Sequence, residues 1–242
     1  MQKRSTPRRT LAQRPEEIRT ERPRPEWPSD GVIFDRDCTE CPRLAAFLAQ
    51  GRAEYPHYYC LPVPPFGDPK ARVVIVGLAP GFHGANATGR PFTGDHAGLL
   101  LYRTLHRYGF ASRPESLAAD DGLRLIDLRI TNSVKCVPPE NKPLPAEIRQ
   151  CNHYLAAELA AMPPGSVFIA LGSVGHNAAL QALGIKATTY KFAHGAEHVL
   201  PDGRTLIDSY HCSRYNTQTR RLTDEMFEAI FARAAELIGR ER

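Results

Sequence analysis

Four short runs of nearly continuous apolar residues punctuate the chain: RVVIVG at 72–77, LRITN at 128–132, VFIALG at 167–172 and TLIDSY at 205–210. Their length and β-branched content predict strands covered on both faces. Between and after them, residues 98–108, 145–161, 173–183 and 223–238 read as helices. The LPAE at 144–147 supplies a helix start, with proline in the first turn and glutamate close behind. Strands alternating with helices predict an α/β fold, a three-layer α/β/α sandwich around a mainly parallel sheet. No internal repeat is evident. Residues 1–30 are rich in arginine and proline with little apolar periodicity. They are expected to form a disordered tail ahead of a single domain over 31–242.

In open parallel sheets, ligands bind beyond the carboxyl ends of the strands. Each predicted strand here runs into a polar or glycine-bearing segment. LAPGFHG follows the first, SVKC the second, a serine at 173 the third and HCS the fourth. The pattern therefore predicts a site along one edge of the sheet.

Several residues stand where chemistry is expected. The glycine-rich stretch GLAPGFHGANATGRPFTGD at 77–95 lets backbone approach a ligand closely. It lacks the Gly-Lys-Ser/Thr of a Walker A loop and is not a GxGxxG fingerprint. Phe92, between Pro91 and Thr93, is either a platform for a planar base or an anchor for the loop. Asp95 stands at a helix start, where an acidic residue also serves as an N-cap. Asn132 ends a buried strand, and an amide there either knits a turn or reads a ligand edge. His211 follows the last strand, with Ser213 two positions on.

Composition narrows the class. Apolar residues at 42% and charged residues at 24% suit a globular chain, and no apolar run is long enough to span a membrane. The first residues lack the apolar core of a secretory signal, so a cytoplasmic location is expected. A net charge of +5 agrees with a polyanionic partner without identifying one. Cysteines stand at 38, 41, 60, 136, 151 and 212. Without an export signal, metal binding or catalysis is favoured over a disulfide framework. Cys38 and Cys41 form a C-x2-C pair, with Cys136 and Cys151 downstream. Four such thiolates suit zinc or a [4Fe–4S] cluster, and spacing alone leaves both open. Cys60 reads as a spare buried thiol.

Three motifs taken together, 77–95, TNSVKC at 131–136 and HCSRYNTQTRRLT at 211–223, resemble the family 5 uracil-DNA glycosylases. The resemblance runs from about Cys38 to the C-terminal helix. It implies a four-stranded parallel sheet, which agrees with the four apolar runs, and a [4Fe–4S] cluster on Cys38, Cys41, Cys136 and Cys151. It implies that Phe92 stacks on a flipped base and that Asn132 bonds its Watson–Crick edge. His211 would steady the departing base and Asp95 would position water. Ala79, Pro80, Gly81 and His83 would line the same pocket. The 213–219 segment would enter the minor groove as a loop, with Arg214 and Tyr215 as wedges and Ser213, Asn216 and Arg220 as DNA contacts.

The chain also departs from its relatives. Leu78 stands where the related family 4 carries glutamate, which places more weight on Asp95. Cys212 replaces the usual proline, Arg220 a glycine, and Ala87 a frequent arginine. The resemblance implies a monomeric, monofunctional enzyme that hydrolyses uracil, and related altered bases, from damaged DNA. Water is the expected nucleophile. Lys135 borders the site, with its backbone held away from the chemistry by Cys136. A competing reading from another class is an iron–sulfur redox or DNA-binding module without catalysis. It leaves Phe92, Asn132 and His211 without a role.

Overall fold

Strand β2 (Val73–Gly77) is buried at every position and pairs in parallel with β3 (Leu128–Asn132) on one side and β4 (Val167–Leu171) on the other. β4 pairs in parallel with β6 (Thr205–Ser209). These are the four runs read from the sequence. In the computed structural model, which describes residues 34–240, the sheet nonetheless has six strands. β1 (Phe66–Gly67) and β5 (Glu197–Val199) add antiparallel edges, giving the order β1-β3-β2-β4-β6-β5. The apolar pattern misses them for a physical reason. One spans two residues, and the other reads Glu-His-Val with no buried position. The expected disordered tail over 1–30 lies outside the described residues.

Alternation along the strands sorts side chains to two faces. Val73, Ile75, Leu128, Ile130, Val167, Ile169 and Ile207 pack under α3 (His96–Arg107) and α7 (Asp224–Leu237). Val74, Val76, Phe168, Ala170 and Leu206 pack under α4 (Pro145–Ala160) and α5 (Ser173–Ala182). This is the three-layer sandwich that the pattern predicts. Among the described residues no helix is long and apolar enough to cross a membrane.

A third cluster lies outside the sandwich, and the sequence reading did not anticipate the helix that builds it. In α1 (Pro42–Glu54), Leu44 and Leu48 pack against Val134, Val137, Cys136, Cys151 and Tyr154. Glu147 joins this arm to the body of the protein. Its carboxylate accepts from the Leu144 backbone N–H at 2.7 Å, closing the first turn of α4. It also receives Arg43 Nε at 2.8 Å and Nη2 at 2.7 Å.

Two further short helices flank the sheet edge. α2 (Ala85–Thr88) lies within the glycine-rich loop. The 213–219 segment, expected as a loop, winds instead into α6 (Arg214–Gln218). Ser213 caps it by accepting from Asn216 N at 3.4 Å, and Asn216 Nδ2 reaches back to the His211 carbonyl at 2.8 Å. A serine cap and a returning amide are enough to close one turn.

Candidate active site

β2 lies between β3 and β4, and in open parallel sheets the carboxyl ends of such central strands are where ligands bind. Gly77 and Asn132 are register partners at that end. A methyl group built on Gly77 would lie 2.4 Å from Asn132 Oδ1 and 2.9 Å from Phe92 Cζ. Glycine is thus a steric requirement, because the amide and the aromatic ring close over its Cα. Gly77→Ala is expected to displace both groups, lowering stability by ~1–3 kcal/mol and abolishing most activity. Denaturation and base-release assays on the same preparation would show both losses.

Phe92 is buried, with φ of +53°, a left-handed conformation that costs an L-residue ~1–2 kcal/mol. Its surroundings hold it there. The Pro91 carbonyl accepts from Tyr102 Oη at 2.8 Å and from Thr93 Oγ1 at 3.2 Å. Thr93 Oγ1 also meets Ser116 Oγ at 2.6 Å. Arg90 is buried and donates to Asp121 Oδ1, Ser116 Oγ and the Ala119 carbonyl, at 2.9, 3.0 and 2.6 Å. Burial works against the Asp121 carboxylate. The Leu123 N–H and the Arg90 guanidinium outweigh it, holding that carboxyl down at about 2. The loop is therefore rigid before any ligand arrives.

The Phe92 ring faces His211, with centroids 5.8 Å apart and planes inclined by 30°. Burial pulls the His211 pKa down to about 4, so the imidazole is neutral at physiological pH. The unfolded chain binds a proton on this residue below ~6.5. Between that value and about 4 it therefore holds a proton that the folded chain lacks, and stability declines as pH falls through this window. A smaller decline in His211→Ala, followed by denaturant titration at pH 7 and pH 5, is the expected check.

Asn132 is 4% exposed, and its Oδ1 is buried without a hydrogen-bond partner. A desolvated, unmade acceptor costs ~1–3 kcal/mol, so a native fold that keeps one is poised for a donor from outside. Asp95 caps α3 through a 2.9 Å bond from Gly98 N to Oδ1. Capping leaves its other oxygen, Oδ2, facing Gly81 and Gly84 across the loop. Burial raises this carboxyl above its usual range, against the pull of the Gly98 and Ala97 N–H groups. Cys212 is fully buried in the main core, and burial together with Asp95 pushes its thiol well up. It is an inert packing group.

The remaining candidates range from buried to exposed. Pro80 is buried, Gly81 is half-buried, and Ala79 packs toward the α1 cluster. His83 is exposed and turns to Tyr58, whose hydroxyl lies 2.9 Å from Nδ1, within a group of rings that includes Tyr55 and Phe82. Arg214, Tyr215 and Arg220 are exposed on and after α6, and Tyr215 is 70% open. His96 Nε2 meets Thr217 Oγ1 at 3.1 Å, tying α6 to the start of α3 beside Asp95.

Lys135 is fully buried, and its direction is set by partners other than Cys136. Its Nζ donates to Glu158 Oε1 at 2.6 Å, to the Asn132 carbonyl at 3.1 Å and to Thr131 Oγ1. It is an ion-paired cation beneath the site. Its importance, like that of Gly77 and Arg90, escaped the sequence reading. The mixed polar composition of TNSVKC was the available signal.

Cys38, Cys41, Cys136 and Cys151 line one cavity with Leu44, Pro62, Val134 and Tyr154. Burial raises the Cys41 thiol to about 11, and its neighbours Cys151, Glu147 and Cys38 add to the effect. Burial likewise lifts Cys136, with the other three cysteines contributing. Thiols gathered in so apolar a place need a compensating cationic centre to become thiolates. An all-sulfur donor set in apolar walls fits a zinc ion or an iron–sulfur cluster.

Comparison with known proteins agrees with this architecture. The profile of the Uracil DNA glycosylase superfamily matches residues 64–235. A type-5 uracil-DNA glycosylase of Thermus thermophilus is 48% identical over 207 residues, covering 84% of this chain and 94% of the relative. Its counterpart in Pyrobaculum aerophilum is 42% identical over 217 residues, covering 88% and 94%. A type-4 uracil-DNA glycosylase of Archaeoglobus fulgidus is 33% identical over 186 residues, covering 74% and 83%. On this evidence the chain belongs to the uracil-DNA glycosylase superfamily, in its type-5 branch.

Proposed function

We propose that this protein is a monofunctional uracil-DNA glycosylase of base-excision repair, acting on DNA as a cytoplasmic monomer through a single catalytic domain. The observation that carries the reading is the buried, unpartnered Oδ1 of Asn132 beside the Phe92 ring. A uracil flipped from the duplex offers a planar face to the ring and an N–H to the amide oxygen. Flipping costs a few kcal/mol, and stacking on an aromatic returns ~1–3 kcal/mol.

As the glycosidic bond lengthens, negative charge gathers on the base and positive charge on the sugar. His211 is a neutral imidazole at neutral pH, so it stabilises the leaving base by donating an N–H while staying uncharged. Asp95 is anchored through Oδ1, leaving Oδ2 toward Gly81 and Gly84 to orient water and offset the sugar cation. Lys135 is occupied by Glu158 and the Asn132 carbonyl, which supports hydrolysis by water over attack by an amine. Tyr215 and Arg214, exposed on α6, would enter the groove left by the flipped nucleotide, with Ser213, Asn216 and Arg220 shaping or touching the backbone nearby.

Cys38, Cys41, Cys136 and Cys151 would hold a [4Fe–4S] cluster that pins the α1 arm to the end of β3. Among the described residues, the four sulfurs do not gather as closely as the ligands of one ion would, which suits a polyatomic group. The test is release of uracil from a defined oligonucleotide, with iron, sulfide and zinc measured on the same protein. Absence of release from uracil in single and double strands would overturn the activity. Stoichiometric zinc without sulfide would overturn the cluster.

A further inference from the structure

Behind the active site lies a polar cluster that the mechanism above does not use. His176 on α5 is 1% exposed and Asp208 on β6 is 0% exposed. His176 Nδ1 meets Asp208 Oδ1 at 2.7 Å, and its Nε2 meets the Tyr190 carbonyl at 3.1 Å. The ring is thus held at both nitrogens by oxygen partners, an arrangement that favours its protonated form. Burial opposes that charge, but the Asp208 bond outweighs it and holds the His176 pKa above its ordinary value. The other carboxylate oxygen receives His198 Nε2 at 3.1 Å and the Ala193 N–H at 3.3 Å. The Gly195 N–H reaches the Asp208 carbonyl at 2.8 Å. The buried His176–Asp208 pair thus fastens the whole 190–198 segment onto β6.

The same segment carries His194. Its Nδ1 accepts from the Tyr210 N–H at 3.1 Å, the first backbone donor beyond the end of β6. Its ring stacks on Tyr210, centroids 5.0 Å apart and planes 24° apart, and the Arg221 guanidinium lies 4.6 Å from the same Tyr210 ring. Burial lowers the His194 pKa, which keeps the ring neutral and Nδ1 free to accept. His211 is the next residue, and its own carbonyl is held by Asn216 Nδ2 at 2.8 Å.

We propose that His194 is a positioning residue for His211, fixing the Tyr210 peptide through Nδ1 while the His176–Asp208 pair anchors the segment that carries it. The proposal rests on the role assigned above to His211. A catalytic donor is effective only within a narrow range of placement, and a displacement of about 1 Å is worth ~10²-fold in rate. His211 follows a strand that has ended, and the sheet no longer fixes its peptide. His194 and Asn216 restore that constraint from either side.

The experiment compares His194→Phe, His194→Asn, His211→Ala and the His194→Phe/His211→Ala double variant, all in the full chain on a uracil-containing oligonucleotide. Phenylalanine keeps the ring over Tyr210 but removes the acceptor, while asparagine keeps an acceptor near the position of Nδ1. The expected result is a fall in kcat of ~10- to 100-fold for His194→Phe with KM nearly unchanged. Asparagine should restore most of the rate, and the double variant should be no slower than His211→Ala alone. Full kcat in His194→Phe, a loss confined to KM, or an undiminished further loss in the double variant would each overturn the proposal while leaving His211 in place. An unaltered rate in His211→Ala would instead overturn the role of His211, and the positioning role with it. Equal loss in the Phe and Asn variants would count against Nδ1 as the acting atom.

Discussion

Asn132→Ala releases uracil about 10²–10³-fold more slowly than the native protein, the loss typical of one preorganised polar group at a reacting centre. The same variant is no less stable, and this second half is the sharper expectation. Asn132 Oδ1 is already cut off from water and from partners, so the folded state bears its desolvation cost without return. Removing it relieves that cost and offsets the small cavity left behind. Single-turnover release and chemical denaturation on one preparation test both halves. A rate within about threefold of native would remove Asn132 from the chemistry. A stability loss of several kcal/mol with a proportionate loss of active protein would mean that the amide is structural. His211→Ala should match the rate loss, since the neutral ring faces the same space across from Phe92.

Lys135→Met destabilises the protein by roughly 3–5 kcal/mol, the usual consequence of stranding one member of a buried pair. Glu158 would keep a buried carboxylate whose nearest remaining cation is Arg129, with Nε 3.9 Å from Oε2 and no hydrogen bond at that atom. The Asn132 carbonyl and Thr131 hydroxyl would lose a donor as well. Replacing both partners, as Lys135→Met with Glu158→Leu, should recover only part of the loss, because Arg129 then becomes the buried uncompensated charge. Urea denaturation of the three proteins at neutral pH decides the matter. A single-variant loss below about 1 kcal/mol would show that the pair contributes no more than an exposed one.

The four central strands and the helices on both faces were legible because their apolar spacing is driven by burial. Positions such as Val73 and Val74, or Phe168 and Ile169, must serve opposite layers at once, and that demand writes itself into composition. β1 and β5 lie at the edges, where such a demand is weak. Asn132 and His211 were visible as polar residues at the ends of apolar runs, and Asp95 as an acidic residue at a helix start. What each touches was not, because Gly77 and Asn132 meet only through the sheet register. α1 escaped notice since its buried face consists of little more than Leu44, Leu48 and Gly51. His194 gives no local signal, because its partner lies sixteen positions along the chain.

With the role proposed for Asn132, its pairing with Gly77 at the end of the β2–β3 ladder would give substrate choice a mechanical origin. A strand cannot shift by a fraction of a residue; a slip by one would turn Asn132 to the opposite face and put Ile130 and Leu128 on the wrong side of the sheet. The Asn132 amide is therefore indexed by the hydrophobic ladder beneath it, much as a pointer is set by the gear to which it is cut. New base preferences in this scaffold should come from exchanging side chains at the strand ends. Attempts to move the strand itself should yield unfolded protein before they yield a different specificity.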